Sequence, residues 1–272
     1  MMPHPSRAGR TVRVFALLVL FATAPAPAAV DGSYTVLRSL PHDSARYTQG
    51  LEFRGDRLLE SGGGRGRSAL VEWDPETGRV HREHRLEAAL FAEGLTRVGE
   101  KLILLTWTSG RALLFDEALE PAGEFRYRGQ GWGLCHDGQS LWMSDGSHRL
   151  TRRDPNSFEV LGRVAVHDDN GPVDRLNELE CVRGQVYANR FQRDEILRID
   201  PARGTVTGRW DMATLKLRFR KPPGWKPRDQ VLNGIAHHAG RDSFYVTGKN
   251  WPLLFEVRLL EPATEAAHDP AQ

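Results

Sequence analysis

Phe91-Ala92-Glu93-Gly94-Leu95 has four counterparts in this chain: Tyr47-Thr48-Gln49-Gly50-Leu51, Gly131-Trp132-Gly133-Leu134, Leu176-Asn177-Glu178-Leu179 and Leu232-Asn233-Gly234-Ile235. In each, a small, amide or carboxylate tip runs into a short apolar strand. From Gly50 to Gly94, Gly133, Glu178 and Gly234 the steps are 44, 39, 45 and 56 residues. That period suits a radial array of four-stranded blades, for which about 40–50 residues is usual. Equivalent positions in such an array converge on one axis. Gln49, Glu93, Trp132, Asn177 or Glu178, and Asn233 are therefore expected to face each other across a channel.

The same order recurs after each tip. A second strand follows, as in Leu102 to Trp107, Gln185 to Asn189 and Phe244 to Thr247, and then a third that ends in a turn signal such as Asp74-Pro75, Asp154-Pro155 or Asp200-Pro201. Proline presets φ in these turns, and aspartate can bind its own backbone. A more polar fourth strand leads on, so the chain reads as all-β. The fifth unit lacks that strand. Tyr34 to Leu40 precedes the first tip and has strand character, so it is expected to pair there and close a five-bladed β-propeller over residues 30–260. The longer last step places an insertion at Leu217 to Gln230, where Lys221-Pro222-Pro223-Gly224-Trp225-Lys226-Pro227 disfavours regular structure. It reads either as a rim over the channel mouth or as a passive surface loop.

Residues 1–29 read as a secretory signal peptide. Arg7, Arg10 and Arg13 precede the apolar run Val14 to Phe21, and Ala24-Pro25-Ala26-Pro27-Ala28-Ala29 offers a small-residue cleavage site. The mature protein is expected to be exported, to periplasm or medium, with no membrane anchor after cleavage, and to act as a monomer. Residues 261–272 read as a disordered polar tail. Without the leader, 34 basic residues stand against 35 acidic ones, which gives no basic excess to suggest nucleic acid. The two cysteines, Cys135 and Cys181, are too few for a disulfide scaffold. Buried free thiols are the expectation, although an oxidising compartment also permits a bridge. With no Cys or His at ligand spacing, no metal and no cofactor are expected.

Glu93 is the one tip carboxylate with apolar and glycine neighbours. Trp107 ends the second strand of the same unit and Trp132 sits at the next tip. Indole walls exclude water and so raise a carboxyl pKa toward the working range of a general acid/base. A turn cap or an arginine partner would use the same residue. Lys249 ends the second strand of the fifth unit, at a place matching Trp107 and the Asn189 to Phe191 segment. A lysine there can hold a developing oxyanion. Gln49, Asn177 and Asn233 offer both donors and acceptors, which suits recognition of an amide. The glycine-rich Gly62 to Ser68 lacks a Walker lysine, and neither a Gly-x-Ser-x-Gly elbow nor a His-Glu-x-x-His pair occurs.

Together Phe91 to Thr96, Gly131 to Leu134, Leu176 to Glu180, Leu232 to Ala236 and Val246 to Pro252 resemble the plant-type (type I) glutaminyl cyclases, over about Tyr34 to Leu259. The resemblance implies a five-bladed propeller that turns the N-terminal glutamine of peptides and proteins into pyroglutamate and releases ammonia, without zinc. It implies Glu93 as the acid/base. Lys249 with Asn177 or Gln49 would hold the oxyanion, and Gln49, Trp107, Trp132, Phe191 and Asn233 would bind the substrate. Plant members tend to carry Trp in place of Phe191, so an indole N–H is lost here. Two other readings use the same residues. A calcium-dependent propeller lactonase or esterase would gather oxygens from Glu93, Asn177, Glu178 and Asn233, and a non-catalytic propeller would only display a binding face.

Overall fold

A computed structural model of the chain describes residues 29–261. The expected signal peptide, apart from Ala29, and the expected disordered tail beyond Glu261 lie outside the described residues. Strand β1 (Val30–Pro41) comes first. One four-stranded sheet then holds β2 (Thr48–Arg54), β3 (Arg57–Gly62), β4 (Ala69–Trp73) and β5 (Val80–Arg85). A second holds β6 (Ala92–Val98), β7 (Lys101–Thr106), β8 (Arg111–Phe115) and β9 (Pro121–Arg126). The third is β10 (Leu134–His136), β11 (Leu141–Met143), β12 (Arg149–Arg153) and β13 (Val160–Ala165). After the short β14 (His167–Asp168) and β15 (Gly171–Pro172) come β16 (Leu176–Val182), β17 (Gln185–Arg190), β18 (Glu195–Asp200) and β19 (Thr205–Asp211), and then β20 (Leu232–His238), β21 (Ser243–Gly248) and β22 (Leu253–Leu260). These last nine strands share one ten-stranded sheet with β1.

Strand β1 is the link within that sheet. Val30–Gly32 run parallel to β19, whereas Ser33–Pro41 run antiparallel to β22. The N-terminal strand thus supplies the partner that the last unit lacks. The first strands of successive units, β2, β6, β10, β16 and β20, touch in turn, and β20 returns to β2. The fold is an all-β, propeller-like ring. A shared core of Leu51, Leu58 and Trp73 with Ala236, Tyr245 and Leu254 seals its first unit against its last.

Burial follows position in the ring. The inner strand β6 is buried at every residue from Ala92 to Thr96, because both of its faces meet protein, while β5 is mostly exposed or half-buried. The Asp-Pro turns form as their chemistry requires. Asp74, Asp154 and Asp200 each accept, through Oδ1, the backbone N–H two residues on, at 2.8, 2.8 and 2.9 Å.

Convergence of the inner strands sets tight limits on side chains. A Cβ on Gly133 would stand 2.0 Å from the Asn177 carbonyl oxygen, so only glycine lets β10 approach β16. One glutamate closes the hub: Glu178 is buried, and its two oxygens accept the backbone N–H groups of Leu51 at 3.3 Å and Ile235 at 2.8 Å, tying β16 to β2 and β20. Burial raises its pKa well above the ordinary range, against those two donors.

Cys135 and Cys181 form a disulfide, which corrects the expectation of free thiols. They lie on the neighbouring inner strands β10 and β16 with Cα atoms 5.4 Å apart, within bridging range. Spacing in sequence alone does not register that proximity. A bridge across 46 residues restrains the unfolded chain and is worth about 2–4 kcal/mol. Reduction, or the Cys135→Ala/Cys181→Ala pair, should lower the thermal midpoint by several degrees; an unchanged melt would show that ring packing alone holds these strands.

Candidate active site

In four inner strands the ladder slips at the tip, between Thr48 and Gly50, Ala92 and Leu95, Leu176 and Leu179, and Leu232 and Ile235. A bulge bends the strand and re-aims a side chain. Here it turns the tip residues toward the axis. The second strands align in a matching way. Gly63, Trp107, Phe191 and Lys249 donate their N–H groups to the carbonyls of Tyr47, Phe91, Arg175 and Val231, at 2.8, 3.0, 2.8 and 2.9 Å. Each acceptor stands two residues before its tip, so Trp107, Phe191 and Lys249 occupy equivalent places, as their sequence positions imply.

The residues meet around a cavity of about 260 Å³ lined by Tyr47, Gln49, Phe91, Glu93, Trp107, Trp132, Asn177, Phe191 and Lys249. Its wall is aromatic. Tyr47 stands edge-on to Phe91 at 6.3 Å between ring centroids, Phe91 is 5.6 Å from Trp107, and Trp132 is edge-on to Phe191 at 5.6 Å. The Lys249 ammonium fills the gap between Tyr47 and Phe191, 5.0 and 5.1 Å from their ring centroids. Across the mouth, the indole N–H groups of Trp107 and Trp132 both donate to Gln130 Oε1, at 2.8 and 2.9 Å. One amide carbonyl thus fixes two indoles.

Polar groups lie inside this collar. Glu93 is buried, and Gln49 Nε2 donates to its Oε1 at 3.0 Å. Asn233 Nδ2 in turn donates to Gln49 Oε1 at 3.3 Å and to the Thr48 carbonyl at 3.0 Å, which fixes the Gln49 amide with its nitrogen toward Glu93. Burial raises the Glu93 pKa well above the ordinary carboxylate range, and the Lys249 charge opposes this only in part. Burial also draws Lys249 down to about 8, against the pull of Glu93 and Asp229. Among the described residues the buried Asn177 Oδ1 has no hydrogen-bond partner. An unfilled acceptor in a pocket is an open place for a ligand N–H.

The sequence model of the glutamine cyclotransferase family matches residues 12–259. The chain belongs to that family. It is 35% identical over 236 residues to the glutaminyl-peptide cyclotransferase of Arabidopsis thaliana, covering 86% of this chain and 73% of that protein. It is also similar to the crystal structure of Myxococcus xanthus glutaminyl cyclase, with 38% identity and a TM-score of 0.78 over 86% of this chain and 99% of that one.

In this cyclotransferase-family chain, seven of the residues nominated from sequence line one cavity: Gln49, Glu93, Trp107, Trp132, Asn177, Phe191 and Lys249. Asn233 does not. Its amide is drawn sideways into the first unit, and Lys249 is the part of its own unit that reaches the cavity. Of the four residues of the calcium reading, Glu93 and Asn177 line the cavity, whereas both oxygens of Glu178 accept backbone N–H groups and Asn233 is turned to the first unit. Sequence reasoning missed Tyr47, Phe91 and Gln130. A signal existed, because each stands two residues before a tip and strand side chains repeat with period two. Gly63 is the matching permissive position, for a Cβ there would meet Phe91 at 2.3 Å.

A buried ionic cluster holds the loop that carries Tyr47 and Gln49. His42 is fully buried, with Nδ1 2.7 Å from the Trp251 carbonyl and Nε2 3.1 Å from Glu60 Oε1. Glu60 also accepts from Thr48 Oγ1 at 2.8 Å and Arg46 Nη1 at 3.0 Å. Asn250 N donates to the Arg46 carbonyl at 2.8 Å, so this loop and the Lys249 turn are fastened to each other. Burial penalises the Glu60 charge, yet His42 and Arg46 outweigh it and hold the pKa at about 2; the His42 pKa is raised, because Glu60 outweighs the opposing cost of burial. Glu60 therefore stabilises the fold above its ordinary range near pH 4.5, and loses that contribution as pH falls toward about 2. His42 stabilises below its ordinary value of 6.5 and loses its contribution as pH rises through the raised one. Glu60→Gln should cost about 3–5 kcal/mol near pH 6, where both partners are charged. The gap from the parent protein should close toward pH 2; denaturant melts at the two pH values give the difference, and a constant gap would contradict the ionic account.

Proposed function

We propose that this protein is a glutaminyl-peptide cyclotransferase, an acyltransferase that closes N-terminal glutamine to pyroglutamate and expels ammonia. The observation that carries the reading is a buried carboxyl of raised pKa beside a buried lysine of lowered pKa, inside an aromatic collar that one glutaminyl side chain can enter. We read the ten-stranded sheet as two four-stranded blades joined through β1, which makes five blades with the other three sheets. The parallel stretch at Val30–Gly32 and the antiparallel one at Ser33–Pro41 support that division. Export by the leader at residues 1–29 fits a chain whose only two cysteines are bridged.

The chemistry follows from the geometry. The substrate's own α-amine attacks the carbon of its side-chain amide, so the nucleophile is already tethered and positioning supplies much of the rate. A free α-amine has a pKa of about 7.7–8.0, so part of it is neutral near pH 7. In its ionised form Glu93 takes the proton released as the new bond forms between the α-nitrogen and the amide carbon, and then gives it to the departing side-chain nitrogen as the old amide C–N bond breaks. The raised pKa, caused by burial, makes the carboxylate a stronger base than a free one. The Lys249 ammonium and the remaining N–H of Gln49 Nε2 face the oxyanion. Asn177 Oδ1 accepts from the substrate's N–H groups, because an acceptor without a partner calls for a donor. Trp107, Trp132 and Phe191 grip the methylene stem and exclude water, while Asn233 acts through Gln49 as a positioning residue.

Glu93→Gln should abolish ammonia release from a short Gln-initiated peptide while the fold survives. The native Glu93 pKa is raised, so ionised Glu93 weakens folding as pH rises above the ordinary carboxylate range. The Gln variant should therefore melt at or above the parent temperature at pH 8. Full activity in this variant would end the assignment.

The pH profile gives an independent check on Lys249. As the substrate amine loses its proton, kcat/KM should rise toward pH 8, and it should fall beyond about 8 as Lys249 is neutralised. Lys249→Arg should remove the alkaline limb, since arginine stays charged, and Lys249→Met should lower kcat by about 100- to 1,000-fold. An alkaline limb that persists in the arginine variant would assign it to another group.

A further inference from the structure

The residue two places before the fourth tip is an arginine, and three further arginines lie on the turn and the insertion beside the cavity. Arg175 is exposed, donates its N–H to the Gly146 carbonyl at 2.8 Å and accepts the Phe191 N–H at 2.8 Å, so it stands between the turn beneath Trp132 and the Phe191 wall. In the insertion, the Arg228 carbonyl accepts from Gln192 Nε2 at 3.4 Å, beside Phe191. On the first unit's turn, the Arg67 charge acts on the Tyr47 hydroxyl. Arg65 on the same turn reaches toward the second unit, 3.5 Å from Thr108 Oγ1 beside Trp107.

Among the described residues none of these four guanidinium groups has an ion-pair partner, whereas Arg54, Arg111 and Arg209, on the sheets, are paired with carboxylates, and the unpaired strand arginines Arg97, Arg149, Arg152, Arg153, Arg163 and Arg258 lie away from the cavity lining. The insertion adds to the excess: from Leu217 to Gln230 it holds five basic residues and one acid, Asp229. Two carboxylates near the mouth are paired, Asp43 with Arg46 and Asp174 with Arg190, at 3.6 and 2.9 Å. Asp145, which accepts only from Ser147, and Asp229 have no ion-pair partner among the described residues, and the Asp229 charge is felt by Lys249 and Tyr47.

We propose that this basic arc, formed by Arg175, Arg228, Arg67 and Arg65, selects substrates with acidic side chains at the second and third positions after the glutamine. The inference rests on the cyclotransferase reading of the cavity. The collar closes around one side chain, so the peptide beyond the first residue leaves through the mouth and passes the arc. Unpaired guanidinium groups at a surface keep their hydration and their field, and a carboxylate arriving there meets several at once.

The test compares three C-terminally amidated peptides, Gln-Asp-Asp-Ala, Gln-Ala-Ala-Ala and Gln-Lys-Lys-Ala, with the full chain. At low ionic strength kcat/KM for the acidic peptide should exceed that for the basic one by on the order of ten-fold, as two or more exposed pairs would give. The ratio should collapse toward one at about 1 M salt, where the screening length is about 3 Å. The double variant Arg67→Glu/Arg175→Glu should bring the ratio below one. Equal turnover of the acidic and basic peptides at low salt, or a preference unmoved by charge reversal, would overturn the proposal. Conversion of the alanine peptide tests the cyclotransferase reading by itself. The affinities of the corresponding pyroglutamyl peptides, followed by the fluorescence of the mouth indoles, test the arc without turnover: the acidic peptide should bind more tightly, and equal binding would refute the arc even in an active enzyme.

Discussion

Backbone must meet backbone at the centre of this molecule, and that constraint governs both its stability and its chemistry. Inner strands from the successive units approach until Gly133 lies against the Asn177 carbonyl and Gly94 N donates to the Trp132 carbonyl at 2.6 Å. Such proximity leaves no room for a side chain at Gly94 or Gly133. It also leaves backbone groups that must find partners away from water. Small polar residues of the second strands answer that need: Ser61 Oγ donates to the Glu93 carbonyl, Ser144 Oγ to the Asn177 carbonyl, and Asn189 Oδ1 accepts from Gly234 N. Each unit therefore grips the tip of the next. The Glu178 carboxylate completes the same task across the hub.

Because the tips are held by neighbours rather than by their own loops, the side chains they carry are positioned before any substrate arrives. The relay from Asn233 to Gln49 to Glu93 crosses from the last unit through the first to the second. Gln130 does the same for the two indoles at the rim. Preorganisation of this kind is where a fixed polar site gains over water, since no reorientation accompanies the reaction. The cost appears as buried groups held away from their ordinary charge states, Glu93 and Lys249 foremost. A surface loop could not impose that cost, for the groups would turn outward to solvent.

Much of this was legible in the sequence, for reasons that can be named. The repeat of tips fixed Gln49, Glu93, Trp132 and Asn177, because a radial fold converts equal sequence positions into equal spatial ones. Lys249, Trp107 and Phe191 followed from the same equivalence on the second strands. The rim residues Tyr47, Phe91 and Gln130 escaped, since attention to the tip alone ignores the period-two partner on the same side of the strand. Asn233 was legible as a tip but not as a residue turned sideways, because the carbonyl that draws it belongs to Thr48, remote in sequence. The disulfide was open in the sequence only as the alternative to free thiols, because two cysteines 46 residues apart reach bridging distance through the lateral spacing of β10 and β16.

The insertion shows how a loop rich in proline acquires a defined place. Its 3-10 turn at Ala213–Arg218 is followed by Phe219, whose ring lies 5.9 Å from Trp225, 5.2 Å from Trp251 and 6.4 Å from Phe255. Trp251 Nε1 also donates to the Gln230 carbonyl at 3.0 Å, and Lys249 N to the Val231 carbonyl. Aromatic anchors thus fasten the loop beside the strand end that carries Lys249. Phe219 and Trp225 are half-buried in this way, and the Lys221 ammonium lies 4.2 Å from the Phe219 ring centroid, while Leu217 stays exposed. A segment without regular hydrogen bonding is in this way made as specific in position as the strands it joins, through ring packing that costs little conformational entropy per contact.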